Sequence, residues 1–197
     1  MIRPNCELVS QFLRKWDTLE NYTLQEKALG LLFNSYCSGN TQLENVLLKV
    51  TALNQFYSTN IYDTYTVAKH IVTKNIDERL RRHDRTLVNE LALVTIKNKG
   101  KNFYSFASKY CSHHAPEVFP IFDSFVEKML WTYAKEDRFD SFNRADMRCY
   151  ENFVRIIASF QKFYGLENYT LRQIDIFLWL SGKEFFPKSY SKKREDN

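Results

Sequence analysis

The chain has few residues that interrupt regular structure. Its 197 residues include five glycines and four prolines, which leaves little sequence for disorder or for a turn-rich β architecture. The four cysteines, Cys6, Cys37, Cys111 and Cys149, are far apart and lack C-x-x-C spacing. That spacing argues against a disulfide framework or a zinc site. We therefore expect a protein that needs neither a metal nor a cofactor.

Long apolar runs are also missing, and the N-terminal segment MIRPNCELVSQ is mixed and polar, unlike a signal peptide. We expect no membrane contact and a cytoplasmic location. Hydrophobic residues at 44% and aromatic residues at 16% can fill the core of one medium domain or of two small lobes. The net charge of +5 suits a nucleic-acid partner, although many enzymes with neutral substrates are equally basic.

Apolar residues recur at helical spacing along the chain, and no region alternates with period two for long. Four S/T-x-x-E/Q capping boxes predict helix starts, at Thr23–Glu26, Thr41–Glu44, Ser124–Glu127 and Thr170–Gln173. Gly165 and Gly182 are predicted to end the last two helices. The prediction is an all-α fold of about nine helices, arranged as two lobes with a cleft between them.

The stretch from Ile96 to Leu130 carries the most specific pattern. Asn98 and Gly100 tolerate positive φ and predict a tight hairpin between two helices. A helix over 102–113 follows, and prolines end it. Asp123 then stands directly before the Ser124–Glu127 box. Because Ser124 can cap the next helix, the carboxylate of Asp123 is free for chemistry, the alternative being that Asp123 is itself the cap.

This order of hairpin, helix, Pro-Ile-Phe-Asp and Phe-Val-x-Lys resembles the helix-hairpin-helix DNA glycosylase superfamily, nearest its 8-oxoguanine-DNA-glycosylase-like branch. Asp123, Val126 and Lys128 match the last part of the family pattern. The hairpin departs from it, since Asn98 replaces the first glycine and only Gly100 is kept. The resemblance implies one glycosylase-like domain over 1–186, a hairpin motif at about 86–113, a catalytic segment at 119–130 and a polar basic tail at 187–197.

The resemblance also implies roles for particular residues. Asp123 would stabilise the oxocarbenium-like sugar and promote attack by water. Bifunctional members place a Schiff-base lysine two residues after the second hairpin glycine. Asn102 occupies that position here, so water attack is expected, with Lys101 as a reserve nucleophile.

Two further sets of residues follow from the resemblance. The DNA-binding set is Lys97, Lys99, Gly100, Asn102 and Lys128. The base-pocket set is Asn54, Gln55, Tyr57, Asp175 and Trp179. The structural alternative for the lysines is a solvated surface. For Asn54, Gln55 and Tyr57 it is a polar helix junction, and for Trp179 it is packing in the core.

The resulting hypothesis is a monomeric DNA glycosylase that acts on double-stranded DNA carrying a damaged or modified base. If that base is a bulky one from phage DNA, the protein is a defence enzyme. One alternative is a non-catalytic DNA-binding module on the same fold. Another is a helical interaction protein without a nucleic-acid role, which the basic hairpin disfavours.

Overall fold

The computed structural model describes residues 2–187, so the predicted tail beyond Pro187 lies outside the described residues. Over that range it is mostly helical, with ten α-helices and one small two-stranded sheet. The helices are α1 Cys6–Asp17, α2 Glu20–Leu31, α3 Leu43–Tyr57, α4 Thr64–Thr73, α5 Asp77–Arg81, α6 Thr86–Ala92, α7 Tyr104–His114, α8 Ser124–Asp137, α9 Tyr150–Tyr164 and α10 Leu171–Phe185. A π-helical turn, Leu32–Tyr36, continues α2, and a 3-10 turn, Arg144–Arg148, precedes α9. The helical class is confirmed, whereas the division into two lobes stays a prediction.

Helix α7 is the centre of the core. It packs against α3 and α6, and all its residues from Phe106 to Ser112 are buried. A helix that is buried on every side belongs in the interior of a domain. Any ionisable residue on α7 is therefore forced into the protein interior. No helix among the described residues is long and apolar enough to span a membrane.

The predicted helix-to-helix hairpin is a β-hairpin. Strands β1 Leu93–Ile96 and β2 Lys99–Asn102 pair antiparallel. The turn residues Lys97 and Asn98 both have positive φ, at 49° and 62°, as the twist of a two-residue hairpin turn demands. The positive φ predicted at Asn98 is confirmed. The same prediction for Gly100 is wrong, because that glycine lies within β2 and is not among the residues with positive φ.

Helix starts were predicted with mixed success. The Thr170–Gln173 capping box forms with both of its hydrogen bonds. The box predicted at Thr23 lies inside α2, where the Thr23 hydroxyl donates to the Glu20 carbonyl one turn back. Helix α3 begins after Gln42 without a side-chain cap. Helix α8 begins at Ser124 as predicted, but its cap is Asp123.

Gly165 has φ 67° and ends α9, as predicted. Gly182 does not end α10; it lies inside that helix, where a Cβ would come 2.8 Å from the Phe125 Cβ of α8. We expect Gly182→Ala to lower the free energy of unfolding by about 1–3 kcal/mol, because the two helices would have to move apart. Denaturant unfolding measures this change.

Gly30→Ala on α2 is the matched control, since nothing lies within 4 Å of a Cβ built there. This variant should be neutral or more stable by about 0.5–1 kcal/mol, because alanine is the better helix former. Equal effects at the two glycines would contradict close packing of α8 on α10.

Candidate active site

A cavity of about 610 Å³ opens among α1, α2, α3, α7, α8 and α10. Its aromatic lining residues are Trp16, Tyr22, Phe56, Tyr57, Phe125 and Trp179. Its ionisable lining residues, apart from Tyr22 and Tyr57, are Glu26, Lys109, Asp123, Arg172, Asp175 and Lys183. The size falls within the range of about 300–1,000 Å³ that is usual for small-molecule pockets. Six helices therefore contribute to one cavity with aromatic walls and balanced charge.

Asp123 has two roles at the cavity wall, one for each carboxylate oxygen. Its Oδ1 accepts a hydrogen bond of 2.9 Å from the Phe125 amide and so caps α8. Its Oδ2 lies 3.6 Å from Nζ of Lys109. The prediction that Ser124 caps this helix is therefore wrong, because the backbone directs the Asp123 side chain to the cap. The carboxylate still presents one oxygen to a lysine in the cavity.

Lys109 lies on the buried helix α7, and its side chain is 3% exposed. Its Nζ donates to Ser105 Oγ at 2.6 Å and to the Phe122 carbonyl at 3.2 Å. The same ammonium group lies 5.3 Å from the centre of the Tyr57 ring. Burial lowers the pKa of Lys109, and the charges of Asp123 and Asp175 oppose that shift only in part. The neutral, nucleophilic amine is therefore easier to form here than on the surface.

A second ionic group is centred on Arg172 of α10. Arg172 donates from Nε to Glu26 Oε1 at 2.6 Å and from Nη1 to Asp175 Oδ2. Within the described residues, Asp175 Oδ1 is buried and has no hydrogen-bond partner. Burial raises the pKa of Asp175 to about 6. A buried acceptor left unpaired costs about 1–3 kcal/mol, so a donor supplied by a ligand would be favoured there.

Three aromatic rings form one corner of the cavity. Tyr22 lies 5.8 Å from Trp16 and 5.1 Å from Trp179, measured between ring centres. Lys183 places its Nζ 4.4 Å from the Trp179 ring and donates to the Tyr22 hydroxyl at 3.0 Å. Flat aromatic faces next to hydrogen-bonding groups suit a planar heterocycle.

The structure brings four predicted site residues together, namely Asp123, Tyr57, Asp175 and Trp179. It does not bring Asn54 or Gln55 into the cavity. Gln55 is exposed, and the Asn54 side chain is used to hold the loop after α3. Neither residue is among those that line the cavity, and their assignment to the base pocket stays a prediction.

The hairpin residues also lie outside the cavity. Lys97, Lys99, Gly100, Lys101 and Asn102 are all exposed on the hairpin, and none of them lines the cavity. Strand β2 carries Lys101 on the exposed hairpin rather than on the helix that enters the core, and its role as reserve nucleophile stays a prediction. The roles of the hairpin lysines in DNA binding remain predictions.

Lys128, also assigned to DNA binding, is exposed on α8. Its Nζ lies 5.7 Å from the Phe125 ring and 5.5 Å from the Phe186 ring. It is therefore near the cavity wall but is not among the residues that line it. Its DNA-binding role also remains a prediction.

Sequence reasoning missed Lys109. A signal was present, because Lys109 stands three residues after Phe106 and directly before Tyr110 on a helix with an apolar inward face. A lysine on such a face is rare unless it is paired. Glu26 and Arg172 left no local signal, since 146 positions separate these partners in the chain. Among residues 2–187 no three His, Cys, Asp or Glu side chains are grouped to hold a metal ion, and the four cysteines are free thiols.

The chain belongs to a family recognised by its N-terminal domain. Residues 8–118 match the family model HI_0787_N, described as an N-terminal domain, so the match includes Lys109 and stops before Asp123. A protein of Haemophilus influenzae is 45% identical over 169 residues, which cover 83% of this chain and 81% of that protein. That relative is described as an uncharacterized protein. No solved structure matches the chain.

Proposed function

We propose that the protein is a DNA glycosylase that cleaves the N-glycosidic bond of a base rotated out of the duplex and into the cavity. One observation carries the proposal: a buried lysine amine and a carboxylate lie 3.6 Å apart at the wall of an aromatic-lined cavity. Cleavage of this bond places positive charge on the sugar, and both an anion and a nucleophile lower its barrier. Lys109 and Asp123 supply these two groups.

The chemistry follows from the two side chains. The neutral Lys109 amine attacks C1′ of the sugar, and the electron pair of the broken C1′–N bond leaves with the base, which takes up a proton. The Asp123 carboxylate stabilises the charge that develops on the sugar. Loss of a proton from the attached amine and opening of the sugar ring then give an imine, which water hydrolyses. In this scheme Lys109 performs the role of the Schiff-base lysine, for which the hairpin has Asn102 instead.

The rest of the cavity is suited to holding the base. An enzyme that acts on a base must take it out of the stack and hold it in a pocket. Trp179 and Tyr57 offer flat faces, and the unpaired Oδ1 of Asp175 can accept a hydrogen bond from a base N–H after a small side-chain rotation. These three residues support the proposal because they offer stacking faces and a hydrogen-bond acceptor in the same cavity as the Lys109 amine.

The deciding experiment is base release. The protein is incubated with duplexes that each carry one modified base and with phage genomic DNA, and released bases are identified by mass spectrometry. We expect release of at least one modified base and little release from unmodified duplex. Binding of DNA without any release would instead support the non-catalytic DNA-binding module.

The hairpin lysines give a separate prediction about DNA binding. Lys99 and Lys101 stand two residues apart on β2, so their side chains point to the same face. We expect the double variant Lys99→Ala/Lys101→Ala to weaken binding and to reduce the log–log salt slope by about one unit per lost phosphate contact. Fluorescence anisotropy of a labelled duplex at several salt concentrations measures this slope.

The matched control for the hairpin variant removes two exposed lysines elsewhere, as Lys135→Ala/Lys162→Ala on α8 and α9. It makes the same change in net charge but keeps both hairpin lysines. The salt slope should therefore stay close to that of the wild type. A hairpin variant with an unchanged slope would show that the DNA lies on another face.

A further inference from the structure

The backbone of Phe122, directly before Asp123, is bound by side chains of α7. Its amide donates to Ser108 Oγ at 3.0 Å. Its carbonyl accepts from Ser105 Oγ at 3.0 Å and from Lys109 Nζ at 3.2 Å. Phe122 lies between α7 and α8, in a segment that belongs to neither a helix nor a strand. The hydrogen bonds from α7 therefore fix a part of the chain that regular structure does not hold.

Ser105 and Ser108, which we call the serine pair, share one face of α7 with Lys109, because positions i, i+3 and i+4 of a helix are neighbours. Each hydroxyl is both a donor and an acceptor. Ser108 Oγ accepts from the Phe122 amide and donates to the Ser105 carbonyl at 3.0 Å. Ser105 Oγ donates to the Phe122 carbonyl. It also accepts from Lys109 Nζ at 2.6 Å. The two serines thus connect the lysine to the backbone before Asp123.

These hydrogen bonds are shielded from water. Ser108 is 0% exposed, and the Lys109 side chain is 3% exposed. Because water cannot replace a lost hydroxyl there, a Phe122 amide left without its acceptor would favour a shift of the backbone. Neither serine is among the residues that line the cavity. Any part that they have in the reaction must therefore act through Lys109 or Asp123.

The backbone at Phe122 decides how far apart the two reacting groups are. Lys109 Nζ and Asp123 Oδ2 lie 3.6 Å apart, which is longer than an ordinary hydrogen bond. Their separation is therefore set by what holds each group. Asp123 is held on one side by its bond from the Phe125 amide at 2.9 Å. On the other side it is held by Phe122, which the serine pair binds to α7.

We propose that the serine pair consists of positioning residues, which hold the Lys109 amine and the Asp123 carboxylate where both reach one sugar. They do so through the backbone of Phe122, and Ser105 also holds the amine in one direction by accepting a hydrogen from it. The inference rests on the proposed function for the identity of the substrate. Catalytic groups act together only when their own supports are fixed by packing and hydrogen bonds.

The first test needs no substrate. The charged and aromatic groups that face Lys109 from neighbouring elements are Asp123 at the start of α8, Asp175 and Arg172 of α10, and Tyr57 of α3. The charge of Asp123 raises the pKa of Lys109 against the effect of burial. If Ser108→Ala lets Asp123 move away, the pKa of Lys109 should fall by about 0.5 unit or more. NMR titration of protein with ¹³C-labelled lysine measures this pKa, and Lys109→Gln assigns the signal.

A double-variant cycle shows whether the effect passes through Asp123. In the Asp123→Asn protein there is no charge to displace, so adding Ser108→Ala should leave the pKa of Lys109 unchanged. An equal shift in both backgrounds would mean that Ser108→Ala only loosens the core around the lysine, and it would overturn the inference.

The second test is single-turnover base release from a modified duplex of the panel, with the protein in excess. Ser105→Ala and Ser108→Ala should each lower the maximal rate constant by about ten-fold to a hundred-fold, because misplacement of a catalytic group by about 1 Å costs that much. The protein concentration that gives half the maximal rate should not change, since neither serine lines the cavity. Ser105→Thr keeps the hydroxyl and should restore most of the rate.

Ser181→Ala is the matched control. Ser181 is also a buried helical serine, but its hydroxyl donates to the Phe177 carbonyl of its own helix at 2.7 Å, and it does not line the cavity. This variant should keep both the pKa of Lys109 and the rate of base release. Circular dichroism verifies that each variant is folded.

The outcomes separate this inference from the proposed function. If Ser108→Ala lowers the pKa of Lys109 but the wild type releases no base, the serine pair holds Asp123 as described and the glycosylase chemistry is rejected. If the wild type releases base and both alanine variants equal it in rate and in the pKa of Lys109, the chemistry stands and the role of the serine pair is rejected.

Discussion

Replacing Lys109 by glutamine is expected to lower base release by at least about a thousand-fold, as loss of a nucleophile does in other enzymes. Glutamine keeps a polar group that can reach Ser105 Oγ, the partner of Lys109 at 2.6 Å, but it has no amine to attack C1′. Borohydride reduction should trap a covalent complex of the wild-type protein with substrate DNA, because it converts the imine into a stable amine. The Lys109→Gln variant should give no trapped complex.

Lys101→Ala is the matched control for this experiment, because Lys101 is an exposed lysine outside the cavity. It should give the full trapped band. If the wild type releases base but is not trapped, and the DNA breaks only after alkali, then water is the nucleophile, as the position of Asn102 predicted. If Lys109→Gln releases base at the wild-type rate, Lys109 is a structural residue.

The pH dependence of the same reaction gives a second measure of the lysine. Burial lowers the pKa of Lys109 from the ordinary 10.5, and only the neutral amine is a nucleophile. The rate constant for single-turnover release should therefore rise with pH and level off at a pH below 10.5. A profile that keeps rising through pH 10.5 would contradict a buried amine as the attacking group.

Replacing Asp123 by asparagine is expected to lower base release by about 10²–10⁴-fold, because the negative charge next to the developing sugar cation is lost. The substitution is well suited to separating the two roles of the residue. Asparagine is as good a helix cap as aspartate, so its side-chain oxygen can still accept from the Phe125 amide. The binding of DNA should stay close to that of the wild type, whereas the free energy of unfolding should fall because the buried Lys109 ammonium loses the charge of Asp123.

Asp63→Asn is the control for capping, because Asp63 caps α4 through the Thr66 amide and does not line the cavity. Both variants should keep their helix caps and unfold cooperatively in denaturant, and only Asp123→Asn should lose base release. Base release by Asp123→Asn at the wild-type rate would show that Asp123 is only the cap of α8.

Local patterns predicted the features that depend on neighbouring residues. The spacing of apolar residues was sufficient for the helical class, and Gly165 and the Thr170–Gln173 box marked a helix end and a helix start correctly. These features follow from hydrogen bonds and backbone preferences within a few residues. The S-x-x-E box at Ser124 located the start of α8 but not its cap. Asp123 is the cap because its own backbone is extended and its side chain accepts from the Phe125 amide.

The hairpin conformation was the largest local error of the sequence analysis. Counting from Gly100 assumed a tight turn between two helices, whereas the chain forms two strands of four residues there. Residues 99–102 therefore lie on an outer strand, and the helix that enters the core begins only at Tyr104. A residue's role can be assigned by counting along the chain only where both proteins have the same backbone conformation over the counted segment.

The sequence by itself determined that this is a mostly helical protein, that Asp123 lies at the mouth of a helix and that Lys97 to Lys101 belong to a basic hairpin. Only the tertiary structure decided that Lys109 is buried 3.6 Å from Asp123 and that Arg172 lies between Glu26 and Asp175. The reason is physical: helix periodicity sets which residues share a face, whereas the packing of helices distant in sequence decides which faces meet. The cavity forms where the faces of such helices pack together.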